Sequence, residues 1–593
     1  MKKLLGCFTV LLCCAAYAES RILWQCLHDY HTIEEPQDAG RQDRQRVNPF
    51  LSYTNIGTDF GFVGPAEKKI GWQSGQIGVT LGNHPDEWAG MWHSMSRLAR
   101  MPEYVMNCSA FYPAPIQAAF QPKMTGIRVR LRGTGKWKME LVSASNQVLW
   151  SETREISQPT FQDEMFELPY AKLQGVKMCN WIAEPGADID VDRIDLRIVT
   201  PDVTPETWFF LASYAKALVC WSPSTGLVRD RAHIDDADFD SVSSTGLFCL
   251  ATAAAADEGI VTKDFARAVM HKAYEVMRPL RGPYQLLPHF VRRNEAGALE
   301  RHRGTEFSTI DTSLFYLSLM IAAEMLGDDA LSQSLMRDVK EIPFAALING
   351  EGFLSHGVMA DEKTIIPFVW KDWGGESALA LILMKVAAPD LLGKMLPTAR
   401  PHQGTGFIAE IQSLLFPQFD SMQPDAISGA NWNEARRKLL IDQQNYLPDH
   451  HPDHPFSALQ FYGFSAGEQY HGKGYAVGGV DLPDQMLLHP HYILMSAPLA
   501  DDPQAFIALM KRLEQQQVFT PLGMVENVAL KDQSTLSMIG SLNACFEALG
   551  AYHFLIRCTK KDNAIFDAAR AVSELNAALE KFYPPSPSSS PTK

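Results

Sequence analysis

The sequence predicts a two-part chain, an N-terminal antiparallel β-sandwich of jelly-roll type followed by an all-α (α/α)6 barrel. Three observations carry that expectation. Apolar residues alternate with a period of two up to about residue 200, and beyond it recur at the three-and-four spacing of helices. About a dozen such helical stretches follow one another, separated by loops rich in Gly, Pro and Asp. No fixed internal repeat runs through them, which disfavours a solenoid of stacked repeats.

The first residues, MKKLLGCFTVLLCCAAYAES, read as a cleavable export signal over 1–18. Lys2 and Lys3 supply the positive start, Leu4 to Cys14 the apolar run, and Ala16-Tyr17-Ala18 an A-x-A cleavage site. The strand region is expected over 19–200. GIRVRLRG sets Ile127, Val129 and Leu131 against Arg128, Arg130 and Arg132, the pattern of a half-buried strand. KWKMELVSA and NQVLWSETREI follow as further strands around a turn at Ser145 and Asn146, and DRIDLRIVT closes the region. The pattern is similar to jelly-roll modules that accompany carbohydrate enzymes, and such a module either binds sugar or braces its neighbour.

Helices are expected over 201–582, from ETWFFLASYAKALVCW through STIDTSLFYLSLMIAAEMLG, ESALALILMKVAA and TGFIAEIQSLLF. STLSMIGSLNACFEALGAYHFLI and AIFDAARAVSELNAALEKF complete the series. The tail over 583–593, ending in PPSPSSSPTK, has nothing to bury and reads as disordered. No apolar run after the leader is long enough to span a bilayer. The formal charge of −15 excludes nucleic acid as a partner, because phosphate binding needs clustered Lys and Arg, and it is compatible with a neutral sugar. Seven cysteines remain beyond the leader, an odd number without the close pairs of a zinc site, so at least one thiol is expected free or paired between chains.

Acids gather at helix starts. Glu306 precedes the helix of STIDTSLFYLSL and Asp311 lies in its first turn, where Ser308 and Asp311 resemble a capping box and the helix dipole favours an anion. Glu376 opens another apolar helix behind two glycines in WKDWGGESALALILM. Glu468 sits in the Gly- and Tyr-rich loop YGFSAGEQYHGKGY, and Glu526 and Asp532 precede a helix expected from Ser534. Each taken singly is an ordinary cap or solvated loop. Together, acids, aromatics and glycines are what a sugar cleft requires, one carboxyl to protonate the leaving oxygen and another to activate water. Arg229 and Asp230 read as hydroxyl-gripping residues or a buried pair, Trp370, Trp373, Phe464 and Tyr470 as stacking rings or core, and Glu468 and Gln469 as hydroxyl-recognising. DDADFDS lacks the glycine and closing Glu of a calcium loop, and neither DHHPDHPF nor HPHY has a zinc spacing, so no metal is expected.

The segments SPSTGLVRDR, EFSTIDTSLFYLSLMIAAEML, KDWGGESALALILMKVAAPD, GFIAEIQSLLFPQF, YGFSAGEQYHGKGY and GMVENVALKDQSTLSMIG occur in one order. Over about residues 204–580 this order resembles the glycoamylase-like family of endo-β-1,2-glucanases and the C-terminal part of cyclic β-1,2-glucan synthases. The resemblance implies an (α/α)6 barrel and an inverting glycoside hydrolase without cofactor, acting on a polysaccharide. Asp311 and Glu376 are then the catalytic pair, with Glu306 beside them. The chain departs from the family's pattern at Gly375, where the family has Asn, at Glu468-Gln469 in place of Asp-Gly, and at GMVENVA in place of GFADAFN. A polysaccharide lyase on the same barrel, or a glycan-binding scaffold without turnover, are the alternative readings.

Overall fold

The computed structural model describes residues 20–29, 60–65, 68–73, 76–82, 84–94, 115–143, 145–168, 176–232, 239–469, 475–483, 485, 487–531, 533, 535 and 539–585. The leader, the tail from 586, Tyr470 and Asp532 lie outside them, as does most of DDADFDS. Nine antiparallel strands come first: β1 (Ile22–Asp29), β2 (Phe60–Val63), β3 (Lys68–Gln73), β4 (Gln76–Gly82), β5 (Ala89–Ser94), β6 (Lys123–Ser143), β7 (Val148–Glu167), β8 (Val176–Ala183) and β9 (Asp188–Val199). They join in one sheet of order β2-β5-β8-β6-β9-β4-β3, with β1 also on β9 and β7 on β6.

GIRVRLRG and KWKMELVSA, expected as separate strands, are both within β6. Its first half pairs with β9 and its second half with β8, so one strand ties together what a sandwich would keep as two sheets. The change of partner falls at Gly133 and Gly135, whose φ values are +134° and +102°. A Cβ at Gly133 would stand 2.0 Å from the Asp188 carbonyl oxygen, so only glycine fits. The alternation holds as expected: Ile127, Val129 and Leu131 are buried, while Arg128, Arg130 and Arg132 pair with Asp195, Asp192 and Asp190.

Helices follow: α1 (Pro205–Cys220), α2 (Val242–Asp257), α3 (Lys263–Met277), α4 (Thr309–Met325), α5 (Asp329–Lys340), α6 (Gly375–Ala387) and α7 (Gly406–Glu410). After them come α8 (Trp432–His450), α9 (His491–Ser496), α10 (Pro503–Gln515), α11 (Ser541–Thr559), α12 (Ala564–Ala571) and α13 (Ser573–Glu580). They are of two kinds. α1, α2, α4 and α11 are buried almost all round, which is why their sequences lack a polar face. α3, α5, α10 and α12 bury a single stripe. In space α2 packs on α4, α4 on α6, α6 on α7, α7 on α9, α9 on α11, and α11 back on α2.

Several boundaries differ from expectation. The helix expected from Ser534 begins at Ser541, because Ile539 and Gly540 are taken into a strand pair with Arg231 and Ala232. AIFDAARAVSELNAALEKF is two helices, broken at Val572, where ψ is 101°. TGFIAEIQSLLF is a short α-helix continued as a 3-10 turn over Ile411–Leu414. The last two residues of HPHY open α9, and α8 runs through Pro448 to take in the first histidine of DHHPDHPF.

The two regions touch through a buried carboxylate. Glu514 on α10 pairs with Arg21 at 2.6 Å and accepts from the Trp208 indole at 3.0 Å. Among the described residues, Cys249, Cys545 and Cys558 are free thiols, and no helix is long and apolar enough to cross a membrane.

Candidate active site

Most of the buried helices start where a short strand or turn ends. The strand Phe239–Ser241 leads into α2, Phe307–Ser308 into α4, Gly374-Gly375 into α6, and Ile539–Gly540 into α11. A cavity of about 520 Å³ opens at these helix starts, a size suited to a small ligand or a few sugar rings. Asp230, Arg231, His289, Glu306, Asp311, His356, Trp370, Glu376 and Glu468 are all in its wall. Helix N-termini carry partial positive charge, which makes this end of the helices tolerant of carboxylates.

The capping box expected at α4 is only half formed. The Ser308 hydroxyl accepts from the Asp311 N–H at 3.2 Å, but the Ser308 N–H donates to the Leu287 carbonyl at 3.0 Å. The Asp311 carboxylate therefore does not return to the cap. It lines the cavity, with Oδ1 3.9 Å from His289 Nε2. Glu306 Oε1 is 2.8 Å from the other nitrogen of the same ring, and this bond holds Glu306 below the ordinary range of a glutamate.

Glu376 is the second residue of α6. Its carboxyl is pushed up to about 7, first by burial and then by the charge of Asp311, against the opposing pull of His289. On another wall Arg231 Nε is 2.7 Å from Glu468 and 3.3 Å from Asp230. Burial drives Glu468 to about 7 and Asp230 to about 6 in spite of that guanidinium.

Glu526 is buried behind the wall. It accepts from Gly540 N at 3.0 Å, Asn543 Nδ2 at 2.8 Å and Glu468 N at 3.4 Å, so it organises the start of α11 and the Glu468 strand. Its expected place in the cleft is thus corrected to a supporting one. Trp373 and Phe464 are likewise corrected. Trp373 is 1% exposed and stacks on Phe419 and Phe582, and Phe464 is fully buried against Tyr446. Arg229 stands opposite Asp240 in a strand pair, and neither it nor Gln469 is in the cavity wall. Trp370 is in the wall, its indole donating to Thr309 Oγ1 at 2.9 Å and stacking on His356 at 3.9 Å.

His289, Arg231, His356, Phe368 and Tyr475 line the cavity without having been singled out in the sequence. IIPFVW carried a readable signal, since Ile366, Phe368 and Trp370 alternate and all three reach the cavity. His289 carried none, because its partner Glu306 is brought to it by pairing of distant chain segments. Among the described residues no group of three or more His, Cys, Asp or Glu is arranged to hold a metal ion.

No family model matches the sequence, and no curated protein matches it. Solved structures do. The β-1,2-glucanase from Parabacteroides distasonis is similar over 89% of this chain and 97% of its own, at 10% identity and a TM-score of 0.53. The endo-β-1,2-glucanase from Chitinophaga pinensis, solved with sophorotriose and glucose, is similar over 64% of this chain and 98% of its own, at 12% identity and a TM-score of 0.51. What is shared is the fold. The chain is a multidomain protein of antiparallel strands and many helices, like the first of these.

Proposed function

We propose that the protein is an exported glycoside hydrolase that cleaves a glucan, β-1,2-glucan first among the candidates, by a two-carboxylate inverting mechanism. The observation that carries this reading is a single cavity in which Glu376, pushed up to about 7, feels the charge of Asp311. A carboxyl raised in this way, beside a second carboxylate in the same cavity, is suited to the acid role. Glu376 gives its proton to the glycosidic oxygen, which leaves with the electron pair of the broken C–O bond. Asp311 takes a proton from the water that attacks the anomeric carbon on the opposite face.

The cavity walls support a sugar chain. Ile366, Phe368 and Trp370 project from one face of an extended segment held by bonds from Ile366 N to Gly357 O and from Trp370 N to Leu354 O, at 2.9 and 2.8 Å. Phe368 is 69% exposed, and Tyr475 and Val477 stand partly exposed on another strand of the wall. Such apolar faces suit the C–H faces of sugar rings. On this reading α2, α4, α6, α7, α9 and α11 are the inner ring of an (α/α)6 barrel over 201–582, the strand module over 19–200 braces it, and 1–18 is removed on export.

The test is to incubate the purified protein with β-1,2-glucan and a panel of other glucans and uronic-acid polymers. New reducing ends are expected, with Asp311→Asn and Glu376→Gln each lowering turnover at least about a hundredfold while remaining folded. Unsaturated products absorbing in the ultraviolet would replace this reading with a lyase, and retention without products would replace it with a glycan-binding protein. The protein recovered from outside the cytoplasm should begin near Glu19.

A further inference from the structure

The cavity holds two side-chain cations with carboxylate partners. Arg231 is taken up by Glu468 and Asp230. His289 is held by Glu306 and faces Asp311, whereas Glu376 forms no ion pair among the described residues. We propose that His289 is a positioning residue that marks Asp311 as the base, placing positive charge against it so that water is activated there. This rests on the hydrolase reading given above.

The ring has little freedom to do otherwise. The His289 N–H donates to the Glu306 carbonyl at 3.0 Å, and Ser308 N donates to Leu287 O at 3.0 Å, so 287–289 and 306–308 are bound backbone to backbone. The side-chain bond from Nδ1 to Glu306 Oε1, at 2.8 Å, crosses between the same two segments. The ring lies on that of Phe290, with centroids 3.8 Å apart and planes 20° apart. Fixed along one edge, the imidazole directs Nε2 toward Asp311. At 3.9 Å that is an ion-pair distance and too long for a direct hydrogen bond, which leaves the Asp311 oxygens available to a water.

The groups facing His289 come from several elements: Glu306 from the segment before α4, Asp311 from α4, Asp230 from the strand-rich loop after α1, and Glu376 from α6. Burial works against its charge, but Asp311, Glu306 and Asp230 outweigh it and lift His289 to about 9. His356, beside Glu306, is lowered by burial. In the opposite direction, His289 lowers Glu376, so the acid's own titration reports the imidazolium.

The experiment compares wild-type protein with His289→Asn and His289→Ala. The Glu376 carboxyl, followed by carbon NMR through a pH titration, is expected to titrate at higher pH in both variants. On the glucan that the wild type cleaves, kcat should fall by about tenfold or more with KM little changed. The alkaline limb of the profile should move upward, and added imidazole should restore part of the activity of His289→Ala. A Glu376 midpoint that does not move overturns the inference, whether or not glucan is cleaved. Variants that lose activity only in step with a lowered melting temperature, without rescue by imidazole, overturn it also. Wild-type protein that cleaves no glycan at all instead removes the hydrolase reading, and this inference with it.

Discussion

At Gly374 the backbone takes φ +109°, and a Cβ would lie 2.2 Å from the Trp432 ring. At Gly375 φ is +58°, and a Cβ would lie 2.8 Å from the Ile408 side chain and 3.2 Å from its carbonyl. These two residues set the approach of α6, and so the position of Glu376. Gly375→Ala should lower stability by about 1–3 kcal/mol in denaturant unfolding and reduce turnover as Glu376 is displaced. Trp370 and Trp373, three residues apart in WKDWGGE, look equivalent in the sequence, yet only Trp370 reaches the cavity. Trp373→Ala should cost about 3–5 kcal/mol, as expected for an emptied core site. Phe368→Ala should leave the unfolding midpoint within about 0.5 kcal/mol of wild type and show itself in a raised KM for glycan. Asp311, Glu376, Glu306, Asp230 and Glu468, singled out in the sequence by helix starts and glycine-rich or charged loops, all line the cavity. The sequence could not separate cleft aromatics from core aromatics, since that depends on which way the chain turns after the last readable residue.

Among the elements, the long apolar helices α1, α2 and α4 were legible from spacing alone, and α9 was not, because six residues are too few to display a period. The α11 boundary was misplaced because a distant strand pair and the Glu526 carboxylate fix its first turn. GIRVRLRG and KWKMELVSA look separate in the sequence, whereas Gly133 and Gly135 between them let one strand change partners. The half-formed cap of α4 has its own test. Ser308→Ala removes the acceptor for Asp311 N and should cost about 0.5–2 kcal/mol. Because the same bond fixes the first turn that carries Asp311, turnover should fall further than the stability loss alone explains, measured as kcat at a temperature where the variant stays folded.

For the molecule as a whole, buried titratable groups in the cavity and at the contact between the two regions make stability depend on pH. Glu376, Glu468 and Glu514 stand at about 7, Asp230 at about 6 and His289 at about 9, all raised above their values in an unfolded chain. A raised group favours the folded state below its unfolded value, and that contribution is lost as pH climbs through the folded one. The carboxyls withdraw their contribution between about pH 4 and 7 and His289 between about 6.5 and 9, while lowered acids such as Glu306 and Asp328 withdraw theirs below about 4.5. The thermal midpoint should therefore peak at mildly acid pH and decline toward pH 9, and His289→Asn should flatten the last part of that decline. None of this was readable from the chain, because the convergence of helix starts arises only from packing. Glu514 extends the point to protein engineering. Trimming the protein to its helices would delete Arg21 and leave the Glu514 carboxylate with the Trp208 indole and the charge of Lys511. Glu514→Gln, which keeps an oxygen for that indole and brings no charge, is the change most suited to making a free-standing helical fragment workable.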